Sequence, residues 1–173
     1  EATQIAYTTF TNPADCFGDA NGTATVIGTV GTGTGPFSYV WNTTPVQTSA
    51  TAIGLVTGTY SCTIKDANDC MISSVPLFVS EPNPISIGFA PTDVSCAGSN
   101  DGFITTTVSG GTAPYTYLWA TTPLQLIPNL SIASGVASGI HLLTVSDYYG
   151  CSYPSVSITV GSPSPITATI TTT

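Results

Sequence analysis

The chain has almost no basic residues. Lys65 is its sole Lys or Arg, set against nine carboxylates for a formal net charge of −8. Phosphate backbones are held by clustered Lys and Arg, so nucleic acid is excluded as a partner, and binding to anionic lipid loses its usual basis. Charged residues of both signs make up 6% of the sequence, where about 25% is usual. The polar surface must therefore come from hydroxyls and amides. His141 is the one histidine, so any Ser-His-Asp or Cys-His constellation would have to be built on it, and no nucleophile elbow accompanies it. On a strand-like segment it reads as a core residue, and no catalytic residue is expected. Long apolar runs are missing too. No stretch approaches the roughly 18 residues of a membrane span, so direct membrane insertion is not expected. No basic and apolar leader opens at Glu1, which suits a mature product or an excised segment.

What the chain does have is the same message twice. Cys16-Phe17-Gly18-Asp19-Ala20-Asn21-Gly22 returns as Cys96-Ala97-Gly98-Ser99-Asn100-Asp101-Gly102. Pro36-Phe37-Ser38-Tyr39-Val40-Trp41 returns as Pro114-Tyr115-Thr116-Tyr117-Leu118-Trp119, and Asp66 with Cys70 returns as Asp147 with Cys151. A period of about 80 residues is too long for a solenoid turn and suits small domains that each bury their own core. Proline marks the boundaries, at Glu81-Pro82-Asn83-Pro84 and again at Ser162-Pro163-Ser164-Pro165. The expected division is residues 1–82, 83–163 and a remainder, 164–173. Each Pro-x-Pro junction is short and stiff, which favours a semi-rigid rod.

Within each copy the pattern is all strand. Phe37, Tyr39 and Trp41 alternate onto one face, as do Tyr115, Tyr117 and Trp119, and Thr and Val are abundant. Clusters of Gly, Pro, Asn and Asp separate the segments at short intervals, and none shows a helical period. The fold class is all-β: two tandem immunoglobulin-like β-sandwich domains of about seven strands each, plus a surplus C-terminal strand.

Four of the five cysteines match between copies. Cys16 and Cys70 are separated by nearly the same interval as Cys96 and Cys151, about 55 residues. The expectation is one disulfide per repeat, Cys16 with Cys70 and Cys96 with Cys151, in an oxidising compartment. Such a loop closure is worth roughly 4 kcal/mol in the chain-entropy model. Reduced, buried cysteines are the competing arrangement, and zinc is the poorest, because no close Cys pair exists. Cys62 stands where the second copy has Leu143, which marks it as a buried free thiol.

Taken together, Cys-x-Gly-x-x-(Asn/Asp)-Gly, the segment Gly110-Gly111-Thr112-Ala113-Pro114-Tyr115-Thr116-Tyr117-Leu118-Trp119, and Gly58-Thr59-Tyr60 followed by Asp66-Ala67-Asn68-Asp69-Cys70 resemble the SprB-type repeat. That repeat occurs in Bacteroidetes gliding-motility adhesins and related large secreted surface proteins. The first copy departs from it at Asp69, where the family tends to have Gly. The resemblance covers almost the whole chain. It implies an extracellular or cell-surface module of adhesive or filamentous proteins, with no catalytic residues to carry over.

Two further sites are expected. Asp19 and Asn21 in one loop, with Asp66, Asn68 and Asp69 in another, would supply oxygens to calcium if a Cys16–Cys70 bridge drew the loops together. The alternative, which the spacing favours, is that these residues stabilise tight turns and that no cofactor is bound. The segment Ile166-Thr167-Ala168-Thr169-Ile170 repeats the strands that open both copies. Ile166, Ala168 and Ile170 would then form the first strand of a following repeat, or a strand exchanged with a neighbouring subunit. The expected partners are copies of the chain itself or its next repeat. The expected role is structural, a module of a fibre, stalk or filament that assembles head to tail. An adhesin that holds carbohydrate or protein in exposed loops is the rival.

Overall fold

A computed structural model describes residues 4–30, 32–121 and 130–169. The chain divides into two compact units, Glu1–Asn83 and Pro84–Thr173. Every regular element among the described residues is a strand, and none of the antiparallel sheets contains a helix. No helix among them is long and apolar enough to cross a membrane.

The second unit shows the repeat in its simpler form. Strands β9 (Ser86–Thr92), β10 (Gly102–Ser109) and β12 (Ile132–Val136) form one antiparallel sheet in the order β12-β10-β9. Strands β11 (Thr116–Ala120), β13 (Gly139–Ser146) and β14 (Ser152–Val160) form the other, in the order β11-β13-β14. Period-two alternation drives the packing. In β13, His141, Leu143 and Val145 point inward, while Leu142 and Ile140 face solvent. Val94, Ile104, Trp119, Ala133, Val136, Leu143, Val145, Ile158 and Val160 form the core between the sheets. The indole N–H of Trp119 donates to the Leu130 carbonyl (3.0 Å), so the buried ring leaves no polar atom unmatched.

The first unit repeats this plan with interruptions. Strands β1 (Tyr7–Asn12), β2 (Gly22–Gly28) and β4 (Thr51–Leu55) form one sheet. Strands β3 (Ser38–Trp41), β6 (Cys62–Lys65) and β7 (Met71–Ser73) form a second, and β5 (Gly58–Tyr60) pairs with β8 (Leu77–Val79). Together β5 and β6 occupy the place of β13, and β7 and β8 that of β14. The break falls at Ser61 and Ser74, where side chains take over ladder positions. Ser74 Oγ accepts from the Cys62 N–H (3.0 Å), and Asn42 Oδ1 accepts from the Ser61 N–H (2.9 Å). Trp41, Ile64, Val26, Val79 and Cys62 lie at the centre of the core. Cys62 is a buried thiol as expected, and burial raises its pKa.

Among the described residues the first unit has eight strands, some of them short, and the second has six, against about seven expected for each. Residues 161–169 carry no strand: Ile166 is fully exposed, Ala168 is exposed, and Ile170 lies outside the described residues. An isolated strand has no neighbour to receive its backbone hydrogen bonds, so the periodic pattern alone does not make it one.

Candidate functional site

The repeated motifs collect at the two ends of each sandwich. The leading end is where the chain comes into a repeat, and the trailing end is where it leaves. At the leading end of the first unit, the β6–β7 turn is organised by Asp66. Its Oδ1 accepts from the backbone N–H groups of Asn68 (2.9 Å) and Cys70 (2.9 Å), and its Oδ2 from Thr34 (3.1 Å). The second unit repeats this with Asp147, whose Oδ1 accepts from Tyr149 (3.0 Å) and Cys151 (2.9 Å) and whose Oδ2 accepts from Thr112 (2.8 Å). Three N–H donors converge on one carboxylate, and the Asp66 pKa is lowered, most by the Thr34 N–H. The residue before each cysteine has positive φ, Asp69 at 66° and Gly150 at 82°. Asp69 also pairs with Lys65 at the surface.

The trailing end carries the Cys-x-Gly motif. Cys16 O accepts from the Asp19 N–H (3.2 Å), and Cys96 O accepts from the Ser99 N–H (3.1 Å). Asn21 Oδ1 closes the first loop by accepting from the Asp15 N–H (2.9 Å), and Asp101 Oδ1 closes the second from Ser95 (3.0 Å). Hydrogen bonds from Ser95, its hydroxyl first, lower the Asp101 pKa. The last motif glycine is a matter of space. A Cβ on Gly22 would lie 2.5 Å from Val79 Cγ1, and one on Gly102 would lie 2.9 Å from Val160 Cγ1. Each loop is tied to the departing chain, by Ala14 N–H to Ser80 O (2.9 Å) and by Val94 N–H to Gly161 O (3.2 Å).

This placement corrects the disulfide expectation. Cys16 and Cys151 are each disulfide-bonded, whereas Cys70 and Cys96 are exposed free thiols. The expected bridges, Cys16 with Cys70 and Cys96 with Cys151, are not formed. Cys16 follows β1 at the end shared by Asn12, Gly22 and Val79. Cys70 sits beyond Lys65, at the end shared by Ser38 and Thr34. The seven residues of β2 alone put those ends about 20 Å apart at roughly 3.3 Å per residue. A disulfide needs Cα atoms within about 7 Å. Matched spacing along the chain therefore did not mean closeness in space.

The proposed calcium ligands separate for the same reason. Asp19 and Asn21 lie at the trailing end, and Asp66, Asn68 and Asp69 at the leading end. Their polar atoms serve the turns: the Asn21 amide donates to Asp15 Oδ2 (2.8 Å), and the Asn68 amide donates to Thr34 Oγ1 (2.9 Å). Among the described residues no cluster of three or more His, Cys, Asp or Glu could hold a metal ion. His141 is fully buried, with Nε2 2.9 Å from the Ala137 carbonyl, and Tyr60 donates in the same way to Val56 O (2.9 Å). The two side chains perform one packing task. The turn role that the sequence favoured for Asp66 is what its hydrogen bonds perform, and Asp147, at the same spacing from a cysteine, performs it in the second unit.

The profile of the SprB repeat matches residues 8–45 and again residues 88–122. One match falls in each unit. The matched segments run from the first strand through the Cys-x-Gly turn to the tryptophan strand and a little beyond. No curated protein matches the chain. Among solved structures, the chain is similar to the three N-terminal domains of the highly immunogenic outer capsid protein (Hoc) of bacteriophage RB49, with a TM-score of 0.60 and 14% identity. That similarity covers 91% of this chain and 59% of the phage chain. The likeness supports the immunoglobulin-like sandwich fold of the two units.

Proposed function

We propose that the chain is a non-enzymatic structural module of an extracellular fibre, stalk or filament, extended head to tail through copies of its own repeat. One observation carries this: the backbone enters each sandwich at one end and leaves at the other. In the first unit Tyr7 opens β1 opposite Gly28, and Val79 closes β8 against Gly22, at the far end of β2. The second unit does the same, from Ser86 opposite Ser109 to Val160 against Gly102. Each added repeat then advances the chain by one sandwich length, and the Pro-rich junctions limit bending. The SprB match, the weakly charged surface and the oxidised cysteines support an extracellular or cell-surface setting, as in the gliding-motility proteins that carry such repeats.

Small-angle scattering on chains of two, four and six repeats tests this. The maximum dimension is expected to grow in proportion to repeat number. Growth with the cube root, as for a compacting globule, overturns it.

A second function is favoured by one feature. A cleft of about 470 Å³ on the first unit is lined by Asn42, Thr44, Pro45, Gln47, Ile53 and Tyr60. An adhesin that holds carbohydrate or a partner protein would use such a polar-edged cleft. Saturable binding to a glycan array that is lost in Gln47→Ala supports the adhesin, and absence of binding removes it.

A further inference from the structure

The cysteines fall into two classes by position. Cys16 and Cys96 occupy the same turn at the trailing end of their repeats, with the same Cys O acceptor and a loop-closing Oδ1 at the same position, from Asn21 in one and Asp101 in the other. Cys70 and Cys151 occupy the same aspartate-organised turn at the leading end. One member of each class is oxidised, Cys16 and Cys151, and the other is a free, exposed thiol, Cys96 and Cys70. Pairing across a sandwich is barred by its length, so a trailing-end cysteine can pair only outside its own repeat. Cys96 also lines a groove of about 390 Å³ with Ser95, Ala97, Pro163, Pro165 and Ile166. The groove is flanked by proline, and Cys96 is exposed.

We propose that Cys96 of one copy of this chain forms a disulfide with Cys70 of a second copy. The leading-end turn of the second copy would seat in the Cys96 groove. This rests on the head-to-tail function above and adds a covalent clip to it. Two thiols lose two protons and two electrons as the S–S bond forms. The oxidant is a disulfide donor, either a thiol–disulfide oxidoreductase or a small disulfide. The first thiolate attacks the donor to give a mixed disulfide and one released thiol. The second thiolate then displaces the other donor sulfur, leaving the donor as two thiols. The Cys62 thiol, buried in the core, takes no part.

The test uses the full chain in a buffer of oxidised and reduced glutathione, followed by denaturing gels without reductant. Wild type is expected to give a ladder of oligomers that collapses to monomer on reduction. Cys70→Ser and Cys96→Ser, each alone, are expected to lose the ladder. An equimolar mixture of the two is expected to stop at dimer, with mass spectrometry locating a Cys96–Cys70 link. Circular dichroism melts confirm that both variants fold. Absence of a ladder overturns the proposal, as does a Cys70→Ser protein that dimerises alone as readily as the mixture. Light scattering of wild type under full reduction separates the two claims. Oligomers there, without a ladder under oxidation, leave head-to-tail contact standing and remove the covalent clip.

Discussion

The two repeats share their ends and differ in their middles. Asp66 and Asp147 organise their turns through three equivalent backbone donors, and the two Cys-x-Gly turns share a Cys O acceptor and a loop-closing Oδ1, to which the first adds Gly18 N–H to Glu81 and the Asn21 amide to Asp15. Between those ends, β13 and β14 run unbroken, whereas the first repeat splits each of them around Ser61 and Ser74. Inward positions drift as well: half-buried Tyr60 against buried His141, and Cys62 against Leu143. A core accepts exchange wherever volume and one polar contact are kept. A turn that closes three N–H bonds on one carboxylate, or a glycine pressed against a facing strand, has no equivalent substitute. Ends that remain alike while interiors vary fit the head-to-tail role proposed above.

The sharpest way to break this comparison is to unfold one repeat without the other. Trp41→Ala is expected to destabilise the first repeat by about 3–5 kcal/mol and leave the second unchanged, with Trp119→Ala doing the reverse. Each variant keeps one indole, so fluorescence-detected urea unfolding reads the intact repeat directly. Coincident shifts in both would show that the two cores unfold as one.

Next come the glycines. Gly22→Ala and Gly102→Ala drive a methyl into Val79 and Val160 respectively, at an expected cost of about 1–3 kcal/mol. The closer approach at Gly22, 2.5 Å against 2.9 Å, makes its loss the larger. Denaturant midpoints of the two variants give the ranking.

The aspartate turn gives a pH dependence. The Asp66 pKa is lowered from 3.8 in the fold, so its contribution is full above that value and is lost as pH falls through the lower, folded pKa. Thermal unfolding of the first repeat between pH 5 and pH 2 is expected to show this fall. Asp66→Asn should flatten it, and an unchanged slope would remove the carboxylate's role.

The smallest effect concerns the residue before each leading-end cysteine. Asp69 holds a φ of 66° where the second repeat has Gly150. Asp69→Gly relieves that backbone but gives up the exposed pair with Lys65, for a net gain of at most about 1 kcal/mol. Gly150→Asp is expected to cost about 1 kcal/mol or more, because no counterpart of Lys65 occupies its place: the equivalent position is Ser146. Opposite signs in paired denaturation curves would confirm the asymmetry.

Much of the fold was legible from local pattern. The alternation of Phe37, Tyr39 and Trp41 and of Tyr115, Tyr117 and Trp119 located β3 and β11, and the doubled motif located both repeats. Strands β4 and β12 escaped notice because Thr51–Leu55 and Ile132–Val136 each contain a glycine, Gly54 and Gly135, that blurs the alternation. The site was legible only in its parts. Asp66 and Cys70, or Cys16 and Asn21, could be singled out as motif residues, but which of them meet could not.

By itself the sequence determined the all-β class, the two repeats and the identity of the turn residues, because alternation, glycine and aspartate act over a few neighbours. Tertiary structure alone decided the fate of the cysteines. Equal spacing along the chain made Cys16 and Cys70 look like partners, and a sandwich one strand long holds them apart. The turn that carries each sulfur is a local matter. The end of the sandwich on which it stands depends on how many strands the chain has crossed, and that is settled only when the sheets pack.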